Sequence, residues 1–417
     1  MLRRSLSVLV AAVLVVAPGL PSRPASADVV RDRQQAMLTT LDLATAWRTT
    51  RGTGVTVGVV DTGVDAGNLD FKGAVTTGPN FLQNIDRGTA PKRLHGTAMA
   101  SLIAGRGHGT GNRDGVVGVA PEARVVAVRA LGEKEDASFK SYQADLEAES
   151  TAIAGGIRYV VDHGADVINL SLGSYGRGTD IRRAVAYAID HNVVVVAAVG
   201  NDGDSRRKVD DNGFAPYSYP AAYPGVIGVA ATDPRHERAF FSNRNYSALV
   251  AAPGAELPAG LPGNGYELVS GTSPATALVS GTAALIRARY HKLAPPLVAQ
   301  ALLTGTTHRP GSGYDADVGY GEINAARALE AAAKLAGYTA AGPTGIPAGS
   351  RFVEKKPGPV HVIPRPAWFT GGVFTVGLVS LIGLFVALLT GWLLFRRISG
   401  GPDAGSPPSE ASRAAIP

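Results

Sequence analysis

The chain has 417 residues, enough for one large α/β domain with appendages or for two small domains. It contains no cysteine, which excludes disulfide bonds, thiolate metal sites and a cysteine nucleophile. The formal net charge is +6, but residues 1–27 hold three arginines and no acid, so the remainder carries 37 basic against 34 acidic residues. Because the sequence has no basic block and no alternation of aromatic and basic residues, it does not support nucleic-acid binding.

The N-terminus has the features of an export signal. Arg3 and Arg4 precede an apolar run, and the sequence Ala-Ser-Ala at residues 25–27 is a small-x-small cleavage site. We predict that residues 1–27 are a signal peptide; an uncleaved anchor helix is the alternative. Residues 28–52 form a short extension whose pattern predicts a helix packed on the following domain. This extension is too short to be a folded inhibitory prodomain of the usual kind.

Apolar runs typical of buried parallel strands alternate with helical stretches over residues 53–337. The predicted strands are Val55–Asp61, Arg124–Leu131, Val167–Leu172, Val193–Val199 and Val226–Ala231. The predicted helices are Thr97–Ala104, Leu146–Asp162, Asp180–Asp190, Pro274–Tyr290, Leu297–Leu303 and Ala325–Leu335. This alternation predicts an α/β fold with a mostly parallel sheet and helices on both faces. Such sheets place their functional sites at the carboxyl ends of the strands.

The C-terminal part of the sequence predicts a membrane anchor. Residues 338–366 are a proline- and glycine-rich linker. Residues 367–395 contain no charged side chain and exceed the ~20 residues that a helix needs to cross a bilayer. Two arginines follow at once, so we expect the tail, residues 396–417, in the cytoplasm and the preceding part of the chain outside it. A buried core helix is the alternative for the apolar segment.

Two polar residues occupy positions where this architecture exposes side chains. Asp61 ends a buried strand, and His95 precedes a glycine and an apolar helix. His108 competes with His95 because it also opens a His-Gly-Thr sequence, but it leads into a glycine-rich stretch. A mobile loop does not hold an imidazole to the tolerance that catalysis needs, so we favour His95. The remaining histidines, among them His236 and His308, are interpreted as surface residues.

Ser273 is the third polar residue, in the sequence SGTSPATALVSG. We predict that it is a helix N-cap, with Pro274 at the first helical position. A serine hydroxyl is a weak nucleophile unless a base lies beside it and an acid orients that base; His95 and Asp61 supply these groups. Asn201 ends the buried strand VVVVAAVGN, where its amide can donate a hydrogen bond to an oxyanion. The backbone N–H of Ser273 is the second expected donor.

Seven motifs follow one another in the order VVDTGVD, LHGTAMASLIAG, INLSLG, VAAVGN, YPAAYPGVIGVAATD, FSN with VAAPG, and SGTSPATALVSG. In this order they resemble the subtilisin-like serine proteases, over about residues 53–336. The resemblance implies a subtilisin-like fold and a polypeptide substrate. It also implies that Asp61 orients the imidazole, that His95 is general base and then acid, that Ser273 attacks the scissile carbonyl, and that Asn201 completes the oxyanion hole.

The resemblance further implies six substrate-binding residues at the ends of two strands: Ser171, Leu172, Gly173, Ala198, Val199 and Gly200. Residues 171–173 would pair with the substrate backbone as an added strand, and residues 198–200 would line the pocket for the side chain before the cut. We expect the bulk of Val199 to narrow that pocket. One departure stands in the nucleophile motif: the family usually has proline four residues after the serine, where this chain has Ala277.

No cofactor and no metal site are expected from the sequence. Calcium sites are common among relatives of this family, but no acidic cluster marks one here. The acidic stretch Gly132–Ser150 predicts an exposed loop and a helix start.

The flanking segments narrow the resemblance. A signal peptide, the sequences RDRQQ and AWRTTRG before the first strand, a proline-rich linker and a single C-terminal membrane helix are similar to the mycosins. Mycosins are membrane-anchored subtilases associated with actinobacterial type VII secretion. The resemblance implies a single-pass cell-membrane protein with its catalytic domain outside the cytoplasm and a secretion membrane complex as partner.

Two other functions are compatible with parts of the sequence. In the first, the chain is mainly a scaffold that stabilises a secretion complex, and its protease activity is dispensable. In the second, the sequence Asp-Thr-Gly at residues 61–63 belongs to an aspartic protease. That chemistry needs two such loops that share a proton, and the sequence holds no second copy.

Overall fold

The computed structural model describes residues 27–176, 178–339 and 367–399. The chain divides into two compact units, one that ends at Gly342 and one that begins at Pro343. The predicted signal peptide up to residue 26, the linker from residue 340 to 366 and the tail from residue 400 lie outside the described residues.

A seven-stranded parallel sheet forms the centre of the first unit. The strands of the described residues are β1 (Thr56–Asp61), β2 (Val75–Asn80), β3 (Arg106–His108), β4 (Asp114–Val117), β5 (Arg124–Arg129), β6 (Val167–Leu170), β7 (Val194–Ala198), β8 (Ile227–Thr232), β9 (Val250–Pro253), β10 (Leu257–Gly260) and β11 (Tyr266–Val269). The large sheet has the order β2-β5-β1-β6-β7-β8-β9. Two short antiparallel pairs, β3 with β4 and β10 with β11, lie apart from it.

The five predicted strands correspond to β1, β5, β6, β7 and β8, so the expected α/β architecture is confirmed. The sequence did not predict β2 and β9, which form the two edges of the sheet. Most residues of β2 are not buried, and β2 contains a glycine and a proline, while β9 is only four residues long. β2 therefore lacks the apolar run that marks a parallel strand buried on both faces.

Helices cover both faces of the sheet. The helices of the described residues are α1 (Ala27–Thr40), α2 (Leu43–Thr49), α3 (Gln83–Asp86), α4 (Leu94–Ala104), α5 (Phe139–Ala144), α6 (Leu146–Asp162), α7 (Thr179–Asp190), α8 (Thr272–Arg289), α9 (Pro295–Thr304), α10 (Ala325–Thr339) and α11 (Ala367–Ser399). Successive residues of β7 alternate between two apolar cores: Val194 and Val196 pack with α4 and α8, and Val195 and Ala197 pack with α6 and α7.

The extension before β1 forms two helices that belong to the core, where the sequence predicted one helix on its surface. Met37 of α1 and Leu43 of α2 are at most 2% exposed. The side-chain amide of Gln34 donates to the carbonyl of Val117 and accepts from its N–H, at 3.1 and 3.0 Å. The indole of Trp47 donates to the carbonyl of Val119 at 2.8 Å. These buried contacts tie α1 and α2 to the segment that contains β4.

The second unit contains the helix α11. Its segment Thr375–Arg396 has 22 residues and a mean hydropathy of 2.4 over its most apolar part, and its side chains are exposed. By length and composition this segment is a candidate membrane span. It agrees with the predicted position of the C-terminal anchor.

Candidate active site

Asp61 and His95 form a hydrogen-bonded pair at the carboxyl end of β1. Asp61 is fully buried, and its Oδ1 accepts a hydrogen bond from Nδ1 of His95 at 2.7 Å. The same oxygen accepts the backbone N–H of Thr62 at 2.7 Å, while Oδ2 is buried and has no partner among the described residues. The carboxylate therefore holds the imidazole by Nδ1 and leaves Nε2 for another group.

The pair depends on a close approach between the start of α4 and the turn after β1. A Cβ added to Gly96 would lie 2.2 Å from the carbonyl oxygen of Gly63, so only glycine fits there. The N–H of Gly96 also donates to the hydroxyl of Thr62 at 3.0 Å. The glycine that follows His95 thus lets the helix bring the imidazole onto Asp61.

Glu133 caps the helix that carries His95. Its two carboxylate oxygens accept the backbone N–H groups of Leu94 and His95, at 2.8 and 3.0 Å. The first N–H groups of a helix have no partner within the helix, and a carboxylate there also complements the helix dipole. Glu133 and Asp136 are at most 9% exposed, so the expectation that Gly132–Ser150 is an exposed loop is wrong for these two residues.

The sequence does not indicate this role, because Glu133 lies 38 residues from His95 along the chain. Asp136 is buried for a related reason. It accepts the backbone N–H of Lys92 at 2.8 Å and pairs with the buried Arg129 at 2.9 Å. Glu133 and Asp136 therefore bind backbone N–H groups at and just before the start of α4, while Glu135, Asp145 and Glu147 of the same segment are exposed.

The surroundings of His95 make its imidazole a stronger base. Burial lowers the pKa of His95, but the charge of Asp61, their hydrogen bond and the charge of Glu133 outweigh it, so the pKa lies above its ordinary value. Burial in turn raises the pKa of Glu133 above its usual range, although its bonds to the N–H groups of His95 and Leu94 oppose this. The site thus places two carboxylates around one imidazole.

Ser273 lies in the first turn of α8, and it is not the N-cap that the sequence predicted. The helix begins at Thr272, and its N-cap is Gly271, whose φ of 152° lies in a region that favours glycine. The cap is supplied by Asn201 from the loop after β7. Its Oδ1 accepts the backbone N–H and the hydroxyl of Thr272, at 2.8 and 2.9 Å. The Ser273 side chain is therefore not needed to cap its own helix.

The hydroxyl of Ser273 contacts the segment that follows β6. It donates to the carbonyl of Ser171 at 3.2 Å, and the hydroxyl of Ser171 donates to the carbonyl of Ser273 at 2.9 Å. Ser171 and His95 line the same cavity. Within residues 27–176 and 178–339, no hydrogen bond joins the Ser273 hydroxyl to His95. The structure thus brings Asp61, His95 and Ser273 to the carboxyl ends of the strands, with the serine hydroxyl turned toward Ser171.

Asn201 presents its amide nitrogen beside the start of α8. With Oδ1 bound to Thr272, Nδ2 lies 3.3 Å from the position that a Cβ on Gly271 would occupy. As the second residue of α8, Ser273 carries a backbone N–H that has no acceptor within the helix. Two donors therefore lie at the N-terminus of α8.

A cavity of about 470 Å³ adjoins His95. Ser171, Leu172 and Gly173 line it, where the chain leaves β6, and its other walls are mainly apolar, with the carboxyl groups of Glu133 and Glu149 among them. Burial raises the pKa of Glu149 above its usual range. The opening is therefore an apolar cleft that runs along residues 171–173, outside the strands of the described residues.

Residues 198–200 do not line this cavity. Val199 is fully buried in the same apolar core as Leu170, so its bulk does not narrow the cleft. A Cβ added to Gly173 would lie 2.3 Å from the hydroxyl oxygen of Ser218 and 3.6 Å from the carbonyl oxygen of Ala198. Ser218, which is 2% exposed, is thus a neighbour of the cleft that the sequence did not indicate.

The competing histidine, His108, is also held in place. Its Nδ1 donates to the buried Asp70 at 2.7 Å, and the hydroxyl of Tyr266 lies 3.4 Å from the same nitrogen. The expectation of a mobile loop at His108 is therefore wrong. The partners of the imidazole are a carboxylate and a phenol, with no serine hydroxyl among the hydrogen bonds of the described residues.

Comparison with known proteins agrees with this fold. The model of the subtilase family matches residues 52–321. The thermophilic serine proteinase of Bacillus sp. (strain AK1) is 38% identical over 242 residues, which are 58% of this chain and only 54% of that protein. Subtilisin DY of Bacillus licheniformis is 34% identical over 284 residues, which are 68% of this chain and 92% of that protein.

Among solved structures, MycP1 with its N-terminal propeptide removed is similar to this chain with a TM-score of 0.58 at 26% identity. The match covers 74% of this chain and 97% of MycP1. The family model covers well over half of the chain, and the parallel sheet with its helices is the fold of these serine proteases. The chain belongs to the subtilase family.

Proposed function

We propose that the protein is a serine endopeptidase in which Asp61, His95 and Ser273 form the catalytic triad. The observation that carries the proposal is the buried Asp61–His95 pair, at 2.7 Å, on the side of the sheet where Ser273 lies in the first turn of α8. A carboxylate that holds Nδ1 of an imidazole beside a serine is the arrangement that activates a hydroxyl for acyl transfer.

The proposed reaction starts when Ser273 turns its hydroxyl from the Ser171 carbonyl toward Nε2 of His95. Hydrogen bonds of this kind often tighten only when substrate is bound. Nε2 takes the proton as Oγ attacks the scissile carbonyl carbon, and Asp61 stabilises the imidazolium through Nδ1–H. The imidazolium then protonates the leaving amine, which gives an acyl-enzyme. Water activated by His95 hydrolyses the acyl-enzyme and returns the serine.

Two donors stabilise the oxyanion in this proposal: Nδ2 of Asn201 and the backbone N–H of Ser273. Both lie at the N-terminus of α8, where the helix dipole also favours negative charge. Residues 171–173 are the proposed site for the substrate backbone, because this segment lines the cleft beside His95. For residues 198–200 we propose that only the backbone contacts the substrate, since the side chain of Val199 lies in the core.

Labelling with a fluorophosphonate probe tests the assignment of the nucleophile. We expect the wild-type chain to be labelled and Ser273→Ala not to be labelled, with activity reduced by about 10⁶-fold. Ser270→Ala is the matched control, since Ser270 is exposed in the same motif and is expected to leave labelling unchanged. Equal labelling of wild type and Ser273→Ala would exclude Ser273 as the nucleophile.

We further propose that the enzyme is a membrane-anchored protease of the mycosin type that acts with a type VII secretion complex. Three observations support this: the export-signal pattern of residues 1–27, the apolar helix segment Thr375–Arg396, and the similarity to MycP1 over 97% of that structure. In this proposal the domain of residues 53–337 lies outside the cytoplasm, joined by the linker of residues 338–366 to a helix over residues 367–395.

Secretion in two strains separates a catalytic role from a scaffold role. If proteolysis is required, a Ser273→Ala strain secretes as poorly as a strain that lacks the whole gene. If the protein serves mainly as a scaffold, the Ser273→Ala strain secretes like wild type while the deletion strain fails. The second result would overturn the proposal that secretion depends on cleavage.

A further inference from the structure

A second cluster of ionisable side chains lies outside the proposed catalytic site and joins three segments of the chain. His236 lies in the turn after β8, His308 in the loop after α9, and Glu322 in the segment before α10. The atoms of these residues that could bind a metal all lie within 4.8 Å of one another. The sequence placed both histidines on the surface and indicated no metal site; the fold brings them onto one carboxylate.

The geometry of the cluster directs both imidazoles to the same oxygen. Oε2 of Glu322 lies 2.7 Å from Nδ1 of His236 and 3.3 Å from Nδ1 of His308. The two rings are parallel, with 3.8 Å between their centroids and 4° between their planes. Glu322 is only 1% exposed, so its charge is removed from solvent and faces the two rings.

The backbone around the cluster holds the two rings in this arrangement. His236 and His308 have φ values of 65° and 44°, in the left-handed region that non-glycine residues seldom occupy. The N–H of His236 donates to the carbonyl of Asp233 at 2.9 Å. Thr307 and Glu322 exchange two backbone hydrogen bonds, at 2.7 and 2.9 Å. Strained backbone conformations on two separate loops thus converge on one buried carboxylate.

The other carboxylate oxygen of Glu322 is fixed by a neighbour. The hydroxyl of Thr232, at the end of β8, donates to Oε1. A hydrogen bond of this kind orients a carboxylate ligand and leaves one oxygen directed at the metal. Oε2 is therefore the oxygen that faces both histidines.

We propose that His236, His308 and Glu322 form a binding site for a divalent transition metal, with Zn²⁺ as the best fit. Bonds of about 2.0–2.1 Å in a tetrahedral zinc site place neighbouring ligand atoms about 3.3 Å apart. The 3.3 Å separation between Oε2 and Nδ1 of His308 matches this value, and the 2.7 Å separation to Nδ1 of His236 is shorter. To bind one ion, the stacked rings must rotate apart until both Nδ1 atoms point at it. Two imidazoles and one carboxylate favour zinc over calcium or magnesium, which take oxygen ligands.

The fourth position of the site faces solvent. The side chains of His236 and His308 are 33% and 47% exposed, so the ion can enter from outside and keep a water molecule. The bound ion would join the turn after β8 to the segment that leads into α10. A metal that binds only the folded chain stabilises it, so zinc is expected to raise the melting temperature.

Metal titration of the full-length chain in detergent tests the proposal. The Ser273→Ala protein is used throughout, so that self-cleavage does not occur and the result does not depend on catalytic activity. After treatment with a chelator, Zn²⁺ is titrated calorimetrically, and Co²⁺ is followed by visible absorption, which reports tetrahedral coordination. We expect one ion per chain and an affinity that falls at least about 10-fold in His236→Ala and in His308→Ala.

Two further variants keep the outcome interpretable. Glu322→Gln keeps the side-chain volume and an oxygen for Thr232 but removes the charge, and it is expected to weaken zinc binding. His163→Ala is the control, because His163 is exposed and bonds only the carbonyl of Tyr159, and it is expected to bind zinc like the parent. Circular dichroism without metal verifies that each variant folds. Absence of stoichiometric binding, or a zinc affinity in His236→Ala and His308→Ala equal to that of the parent, overturns the proposal.

Discussion

Asn201 combines two tasks at the N-terminus of α8. Its oxygen accepts the N–H of Thr272 at 2.8 Å and so caps the helix, while its nitrogen lies on the side where the oxyanion would form. The two ends of one planar amide thus stabilise the folded helix and the proposed transition state. A cap oxygen in this place could come from many side chains, but an amide adds a separate nitrogen donor beside that oxygen.

We expect Asn201→Ala to lower kcat by about 10²–10³-fold, because one oxyanion donor is lost. The same substitution removes the cap and is expected to cost about 1 kcal/mol of unfolding free energy. Asn201→Asp separates the two effects, since its carboxylate still accepts the N–H of Thr272 but donates nothing. It should lose kcat as Asn201→Ala does and keep the melting temperature of wild type. A wild-type kcat in Asn201→Asp would rule out the amide as an oxyanion donor.

At the scale of single elements, α4 shows how a helix positions a reactive group. The carboxylate of Glu133 fixes the first turn, and Gly96 lets that turn reach the strand that ends at Asp61. The charge of Glu133 also contributes to the raised pKa of His95. Glu133 therefore fixes the first turn of α4 and adds to the basicity that Asp61 mainly gives the imidazole.

The raised pKa of His95 predicts in which direction the activity changes with pH. The proposed base acts only when neutral, so activity is lost as the pH falls through the pKa of His95 in the free enzyme. Because this pKa lies above its ordinary value, we expect the acid limb of kcat/KM above the pH of an unperturbed histidine. Glu133→Gln removes a negative charge near the ring and should move this limb to lower pH.

A pH profile of kcat/KM for wild type and Glu133→Gln measures this shift. Glu147→Gln is the charge-matched control, because Glu147 is exposed on α6 and is expected to leave the limb in place. An acid limb that stays in place in Glu133→Gln would show that the charge of Glu133 does not act on His95.

At the scale of the whole molecule, the chain joins an enzyme-like unit to an apolar helix. The first unit contains the sheet and the proposed site, and the second contains the span Thr375–Arg396. An apolar helix of this length exposed to water would be unfavourable, since roughly 25 cal/mol is lost per Å² of apolar surface left in water. Insertion into a bilayer removes that cost.

We expect the full-length chain to fractionate with membranes and to resist extraction by alkaline carbonate. A Ser273→Ala chain that ends after Pro366 should instead appear in the soluble exported fraction. A tag placed after Pro417 should be protected from protease added outside the cell, while the first unit is accessible. Membrane association of the truncated chain would show that the anchor lies elsewhere.

The sequence by itself determined the parts that depend on local pattern. Long apolar runs marked β1, β5, β6, β7 and β8, because most residues of a parallel strand buried on both faces are apolar. Asp61 and Asn201 lie where predicted strands end, and His95 and Ser273 lie where predicted helices begin. These positions indicated a common site, since the carboxyl ends of parallel strands lie on the same side of a sheet. The 29 uncharged residues before Arg396 marked the apolar helix.

Only the tertiary structure decided which distant side chains meet. It placed Glu133 at the start of the helix that carries His95, used Asn201 in place of Ser273 as the cap of α8, buried Val199 in the core and gathered His236 and His308 around the buried Glu322. Each of these contacts joins segments that are far apart along the chain, and each satisfies a backbone N–H, an apolar side chain or a buried charge. Such requirements arise only once the sheet and helices have packed. A periodic pattern of apolar residues along the sequence therefore does not predict these contacts.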